Sequence, residues 1–225
     1  SEVAAAGQAA ATAKPTLTLA TGAASNEQLT MSGSLVAGQA GLFLLFTVGF
    51  GVLALVYERD QGTLARLRSM PMRPGLVVGA KALVAFILGV VATSILLTVG
   101  GLLFGVNFGS VPAIAVLVLC VVTASTSLMF IVARIARTSE QASIAQSIVA
   151  LVLGIAGGAF FPIAGTGVFA TLLELNPISA FIRGLGITFG GGGIPDIGVP
   201  VLIMLGFALV ASAVSRIVPD RGAAL

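Results

Sequence analysis

The sequence predicts an all-α, polytopic transmembrane helix bundle. Three observations carry that reading. Only 8% of the 225 residues are charged and 57% are hydrophobic, whereas soluble domains carry about 25% charged residues. Mean hydropathy is +1.13, so there is too little polar surface to coat a globule and lipid must be most of the solvent. Five separate windows are also long and apolar enough to cross a bilayer, which takes about 20 residues each.

The first 33 residues are rich in Ala, Thr, Gly, Ser and Gln and show no strong apolar period. They read as a polar extracytoplasmic lead-in, partly disordered or the end of a larger outer domain. Residues 34–225 then form the transmembrane domain. No signal peptide is visible. The opening Ser1 points to a processed chain or, preferably, a fragment.

The spans are expected at about 35–57, 75–105, 111–133, 142–161 and 197–218. All should be helices, because in hydrocarbon each backbone polar group must be satisfied within its own segment. Orientation follows from Lys and Arg. Of these residues, nine fall on one face (Arg59, Arg66, Arg68, Arg73, Lys81, Arg134, Arg137, Arg216 and Arg221). Two, Lys14 and Arg183, fall on the other. The first face is therefore expected to be cytoplasmic, with the N-terminus outside and the C-terminus inside. Acidic residues divide four and four and do not bear on the choice. Lys81 sits one to two turns inside its window. Its stem is expected to run toward the near interface and keep the ammonium wet.

Between the first two spans lies "YERDQGTLARLRSMP", residues 57–71, which holds five of the nineteen charged side chains. Gly62 to Met70 allow about two helical turns before Pro71 stops them. Leu64, Leu67 and Met70 then share a face, flanked by Arg66 and Arg68. Such a short amphipathic helix rests on a membrane surface or fits a groove on a partner protein; pattern alone leaves both open. Glu58 and Arg59 either brace this helix against the span ends or stand as solvated interface charges. The turn around Glu140 reads as solvated.

On the opposite face, residues 162–195 are apolar but broken by Pro162, Pro177, glycines 190–193 and Pro195. Two short helices are expected, at about 166–175 and 178–189, as a re-entrant hairpin or an interfacial loop. Phe160 and Phe161 close the outer mouth or pack against lipid. Gly154/Gly158 and Gly101/Gly105 permit close helix contact. Ser125, Thr126 and Ser127 are expected to bond back to their own helix.

Several classes fall away. With no histidine, histidine bases and histidine metal ligands are excluded within this chain, and an intramembrane Ser–Lys enzyme lacks a well-placed lysine. A net charge of +3 is no argument for nucleic acid. Gly75 to Lys81 miss the spacing and the Ser/Thr of a phosphate-binding loop, so no ATPase site is expected here, and no cofactor.

The run Glu58-Arg59-Asp60-Gln61-Gly62-Thr63-Leu64-Ala65-Arg66-Leu67 followed by Pro71 resembles the "E-R-x-x-G-T-L-x-x-L…P" signature of type-2 ABC transporter permeases. Gly79-Ala80-Lys81 resembles that family's "G-K", with an Ala inserted. Gly157-Gly158-Ala159-Phe160-Phe161-Pro162 resembles its "G-x-F-F-P", and Asn176-Pro177 with Phe181-Ile182-Arg183-Gly184 resembles its outer "P…R-G" segment. The landmarks run in family order from about residue 40 to 218.

The resemblance implies six spans per subunit, so that one span would precede Ser1. It implies a coupling helix made by Glu58, Arg59, Gly62, Thr63, Leu64, Arg66, Leu67, Met70 and Pro71, seated on a separate ATP-binding cassette subunit that binds the ATP. An outer gate or re-entrant region would include Phe160, Phe161, Pro162, Pro177 and Arg183. Implied partners are that ATPase, a second permease subunit in a homo- or heterodimer, and membrane lipids. The implied place is the plasma membrane, the inner membrane of a bacterium. The expected function is ATP-driven export of an apolar or amphipathic cargo, a drug or lipid. The alternative is a secondary transporter or channel without an ATPase. Against it, no Asp or Glu lies inside the five windows, and ion-coupled transport commonly uses such groups.

Overall fold

A computed structural model describes residues 29–62, 74–160 and 173–218. Among them are six helices and no strand: α1 Met31–Asp60, α2 Pro74–Phe104, α3 Val111–Ile135, α4 Ser139–Ala156, α5 Pro177–Phe189 and α6 Gly198–Ile217. Five are long and apolar enough to cross a membrane, and α5, with 13 residues, is not. The chain is a polytopic helical bundle, as its composition requires.

Three of the helices start where a polar side chain takes an orphan N–H. Thr30 Oγ1 accepts from Gly33 N (3.2 Å) at the head of α1. Thr138 Oγ1 accepts from Gln141 N (3.2 Å) at the head of α4, while the Gln141 side chain accepts from Arg137 N (2.9 Å). This reciprocal arrangement is close to a capping box. Asn176 Oδ1 accepts from Ile178 N (2.9 Å), and Pro177 occupies the first turn of α5, where its missing N–H costs nothing.

Two spans differ at their ends from the sequence expectation, and α1 also starts at Met31, about four residues early. α1 runs three residues past Tyr57, because Glu58, Arg59 and Asp60 all tolerate helix and find partners on neighbouring spans. Gln61 then caps it and Gly62 stops it at φ +70, a left-handed conformation that costs glycine little. At 30 residues α1 is about 45 Å long, against a hydrocarbon core of about 30 Å, so it projects beyond the membrane. α4 starts at Ser139, earlier than expected, and ends at Ala156.

The core gathers around α1 and α3. α1 meets α2, α3, α4 and α5, while α3 also meets α6. Leu44, Leu45, Val48, Leu117, Val121 and Phe181 are fully enclosed there. By contrast, α2, α4 and α6 each leave a broad apolar side uncovered. In lipid there is no hydrophobic drive between helices, so packing falls to small residues and polar contacts. A Cβ on Gly49 would collide with Gln146 of α4, one on Gly89 of α2 with Val48, and one on Gly154 of α4 with Leu42. Of the glycine pairs singled out in the sequence, Gly154 is such a helix contact. Gly101 instead lies against the Val106 carbonyl in its own following loop, and a Cβ added to Gly105 would meet open space.

α5, about 20 Å long, is wedged among α1, α3 and α6. Ile178 fills the gap left by Gly41 and Gly157, and Leu117 the gap left by Gly184. It matches the second limb of the expected hairpin; the first limb falls mostly outside the described residues.

Candidate functional site

Where α1 ends, three consecutive side chains reach three different helices. Glu58 Oε1 meets Lys81 Nζ of α2 at 2.5 Å, both side chains being about one-third exposed. Arg59 Nη2 donates to the Ala136 carbonyl (2.6 Å) and the Arg137 carbonyl (3.4 Å), and Nη1 to the Ala133 carbonyl (3.5 Å), all at the C-terminal end of α3. Asp60 Oδ2 accepts from Ser139 N (2.5 Å) in the first turn of α4. A fourth tie joins the same end: Arg134 Nη1 donates to the Val218 carbonyl (3.3 Å) behind α6.

The signs fit helix electrostatics. The last carbonyls of a helix carry partial negative charge and the first N–H groups partial positive charge. Arg59 and Arg134 lie on the C-terminal ends of α3 and α6, and Asp60 lies on the N-terminal end of α4. Only a guanidinium has the planar fork to serve several carbonyls together. The result is a polar clasp that joins α1 to α2, α3 and α4 in one helical turn, with α6 attached through α3. It sits where the chain leaves α1 toward residues 63–73, which lie outside the described residues.

Of the expected coupling residues, Glu58, Arg59 and Gly62 are therefore placed: the first two within the clasp, and Gly62 exposed at the end of α1. Thr63, Leu64, Arg66, Leu67, Met70 and Pro71 lie outside the described residues. Lys81 departs from expectation, its ammonium going to Glu58 and not simply to water. In the outer set, Phe160 is 41% exposed just beyond the end of α4. Pro177 is buried at the start of α5 and Arg183 is half-buried on the same helix. Phe161 and Pro162 lie outside the described residues.

Among the described residues, a few neutral polar side chains link helices in the interior. Thr126 and Ser127 bond back to the Val122 and Thr123 carbonyls, as expected, and Ser127 also receives the Ser212 hydroxyl of α6 (3.1 Å). The hydroxyl of Ser125 does not follow suit; it is buried without a hydrogen-bond partner among the described residues. Gln146, 2% exposed, donates from Nε2 to the Phe46 carbonyl of α1 (3.3 Å). Asn176 Nδ2 donates to the Leu153 carbonyl of α4 (2.9 Å). Sequence reading missed the links made by Asp60, Gln146 and Asn176. A polar residue inside an apolar run was the available signal for Gln146, but spacing could not name its partner 100 positions away.

The profile of the ABC-2 type transporter family matches residues 10–189. Comparisons with curated proteins and with solved structures gave no match. With the match covering most of the chain and five apolar helices able to cross a bilayer, this protein belongs to the ABC-2 type transporter family, as a multi-pass permease subunit of an ABC transporter.

Proposed function

We propose that this permease exports an apolar or amphipathic molecule, a drug or lipid, driven by ATP hydrolysis in a separate ATP-binding cassette subunit. The observation that carries the reading is the clasp at residues 58–60. It ties the last turn of α1 to three spans, so a displacement passed to that turn would reach α2, α3 and α4 together. Leu64, Leu67 and Met70 would grip a groove on the ATPase. Arg66 and Arg68 would set orientation, the part of binding to which charge contributes most.

The clasped end is then cytoplasmic, in keeping with the excess of Lys and Arg there, and the membrane is a bacterial inner membrane. A second permease subunit completes the path, and ATP binds only to the partner. Apolar or amphipathic cargo fits spans whose interior contacts among the described residues are mostly apolar or neutral, since a charge crossing them would find few compensating groups.

The test is co-expression of the full-length gene with its ATPase. The ATPase should co-purify, and Leu64→Asp or Leu67→Asp should release it. Vesicles containing both subunits should accumulate a fluorescent lipid only with ATP. Equal flux by the permease alone, without ATP, would overturn the reading in favour of a secondary transporter or channel.

A further inference from the structure

At the end of the bundle away from the clasp, α2 and α3 part. Val106 N turns back onto the Gly101 carbonyl (2.8 Å), and the chain crosses to Val111 before descending again. Between the two helices lies a cleft of about 580 Å³. Its floor is closed: Leu97, Phe108 and Val118, all lining it, are buried at 5%, 6% and 3% exposure. The cleft thus has a buried apolar inner wall. It opens sideways, past Ala115 and the highly exposed Leu102 (79%).

Three features define what fits. The lining carries no charged side chain, and the Thr98 hydroxyl is already given to the Ser94 carbonyl (2.7 Å). Along α2 the lining runs from Ser94 to the turn at Gly105. That is about 16 Å at helical rise, close to half of the roughly 30 Å hydrocarbon core. The cleft thus spans one leaflet, from polar boundary to midplane. Its surroundings, Ile95, Val99, Leu103, Phe104 and Val111, are exposed among the described residues and apolar, which suits this side to hydrocarbon. Asn107, an exposed amide in the crossing loop, stands at the mouth. Apolar walls left without neighbours forfeit their dispersion contacts, so the cleft favours a chain that fills it.

We propose that this cleft binds one acyl chain of a lipid from the leaflet at that end, with the glycerol ester region at Asn107. The site rests only on the chain's placement in a membrane and is independent of ATP-driven export.

The chain contains no tryptophan, so single reporters can be read directly. Full-length Leu102→Trp, with any tryptophan outside these 225 residues replaced by Phe and stripped of lipid in detergent, is titrated with tail-brominated phosphatidylcholine. Leu209→Trp, on a 72% exposed position of α6, is the control. Saturable quenching of the first reporter at one lipid per chain, before the control responds, is expected. Adding Ala115→Phe to fill the cleft should raise the half-quenching concentration at least about tenfold, the worth of two methylenes kept out of apolar burial. Ser94→Phe is a second filler should the first fail to fold. Parallel, non-saturating quenching of both reporters would overturn the site, as would an unchanged titration in a folded filler. High-yield disulfide dimers of Leu102→Cys in native membranes would also overturn it, by showing that a second copy covers the cleft.

Discussion

At the clasped end of the bundle, helices are joined by charged side chains reaching helix termini. At the opposite end, beside a few neutral amide bonds, the closest approaches are of backbones brought together over missing side chains. Arg59 and Asp60 make directional bonds to carbonyls and an N–H of α3 and α4, and such bonds can break and reform as helices shift. Gly109 instead lies so close to the Thr188 carbonyl of α5 that an added Cβ would stand 2.0 Å from it, and one on Gly38 would stand 2.5 Å from the Ala159 carbonyl. Steric contacts of that kind fix distance and do not slide. The difference separates an end suited to passing on displacement from an end suited to holding its shape.

The strongest way to break this comparison is at Gly109. Its φ is +86, and Gly109→Ala should cost about 1–3 kcal/mol in backbone strain alone, plus the collision with Thr188. Gly105, at φ +64 with nothing near it, supplies the control. Gly105→Ala carries the strain without the collision. The difference between their thermal unfolding midpoints in detergent measures the contact with α5. Equal shifts would remove the steric account of that end.

Next comes Arg59. Arg59→Ala leaves the last carbonyls of α3 without their guanidinium. Bonds to a charged group are worth about 1.5–3 kcal/mol when buried, less at this partly exposed site. For a loss of about 1 kcal/mol in a chain of this size, a fall of roughly 2–4 °C in melting temperature is expected, and Arg59→Lys should recover only part of it, lacking the fork.

In the middle of the bundle, Gln146→Leu should lower stability by about 0.6 kcal/mol, the usual worth of an interhelical hydrogen bond in membranes. Gly49→Ala should lower it further by displacing the amide, and the two changes together should be less than additive. The smallest effect belongs to Glu58 and Lys81. A partly exposed pair is worth about 0–1 kcal/mol. A double-mutant cycle with Glu58→Gln and Lys81→Met should therefore return a coupling below about 1 kcal/mol.

The bundle itself was legible, because twenty-odd apolar residues in a row leave the backbone no other option. The five spans fall within a few residues of their expected windows, and α5 was readable from Pro177 and the glycines after it. The clasp was half legible. Glu58 and Arg59 drew notice as charges at a membrane edge, but their partners are α2 and the end of α3. The Arg59 acceptors are backbone carbonyls, which leave no trace in residue identity. Asp60 stands in the sequence only as one more charge of the 57–71 run, whereas it serves the first turn of α4, 79 residues later. The side cleft had no sequence signal, since it depends on how far two helices diverge.

The most direct test of the clasp as a mechanical link is Asp60. Its side chain is exposed, so changing it should not unfold the protein. In vesicles carrying this permease and its ATPase, Asp60→Ala should leave the ATPase bound and hydrolysing ATP while ATP-driven transport falls, and Asp60→Asn, which keeps an acceptor for Ser139 N, should retain most of it. Transport at wild-type rate in Asp60→Ala would contradict the account.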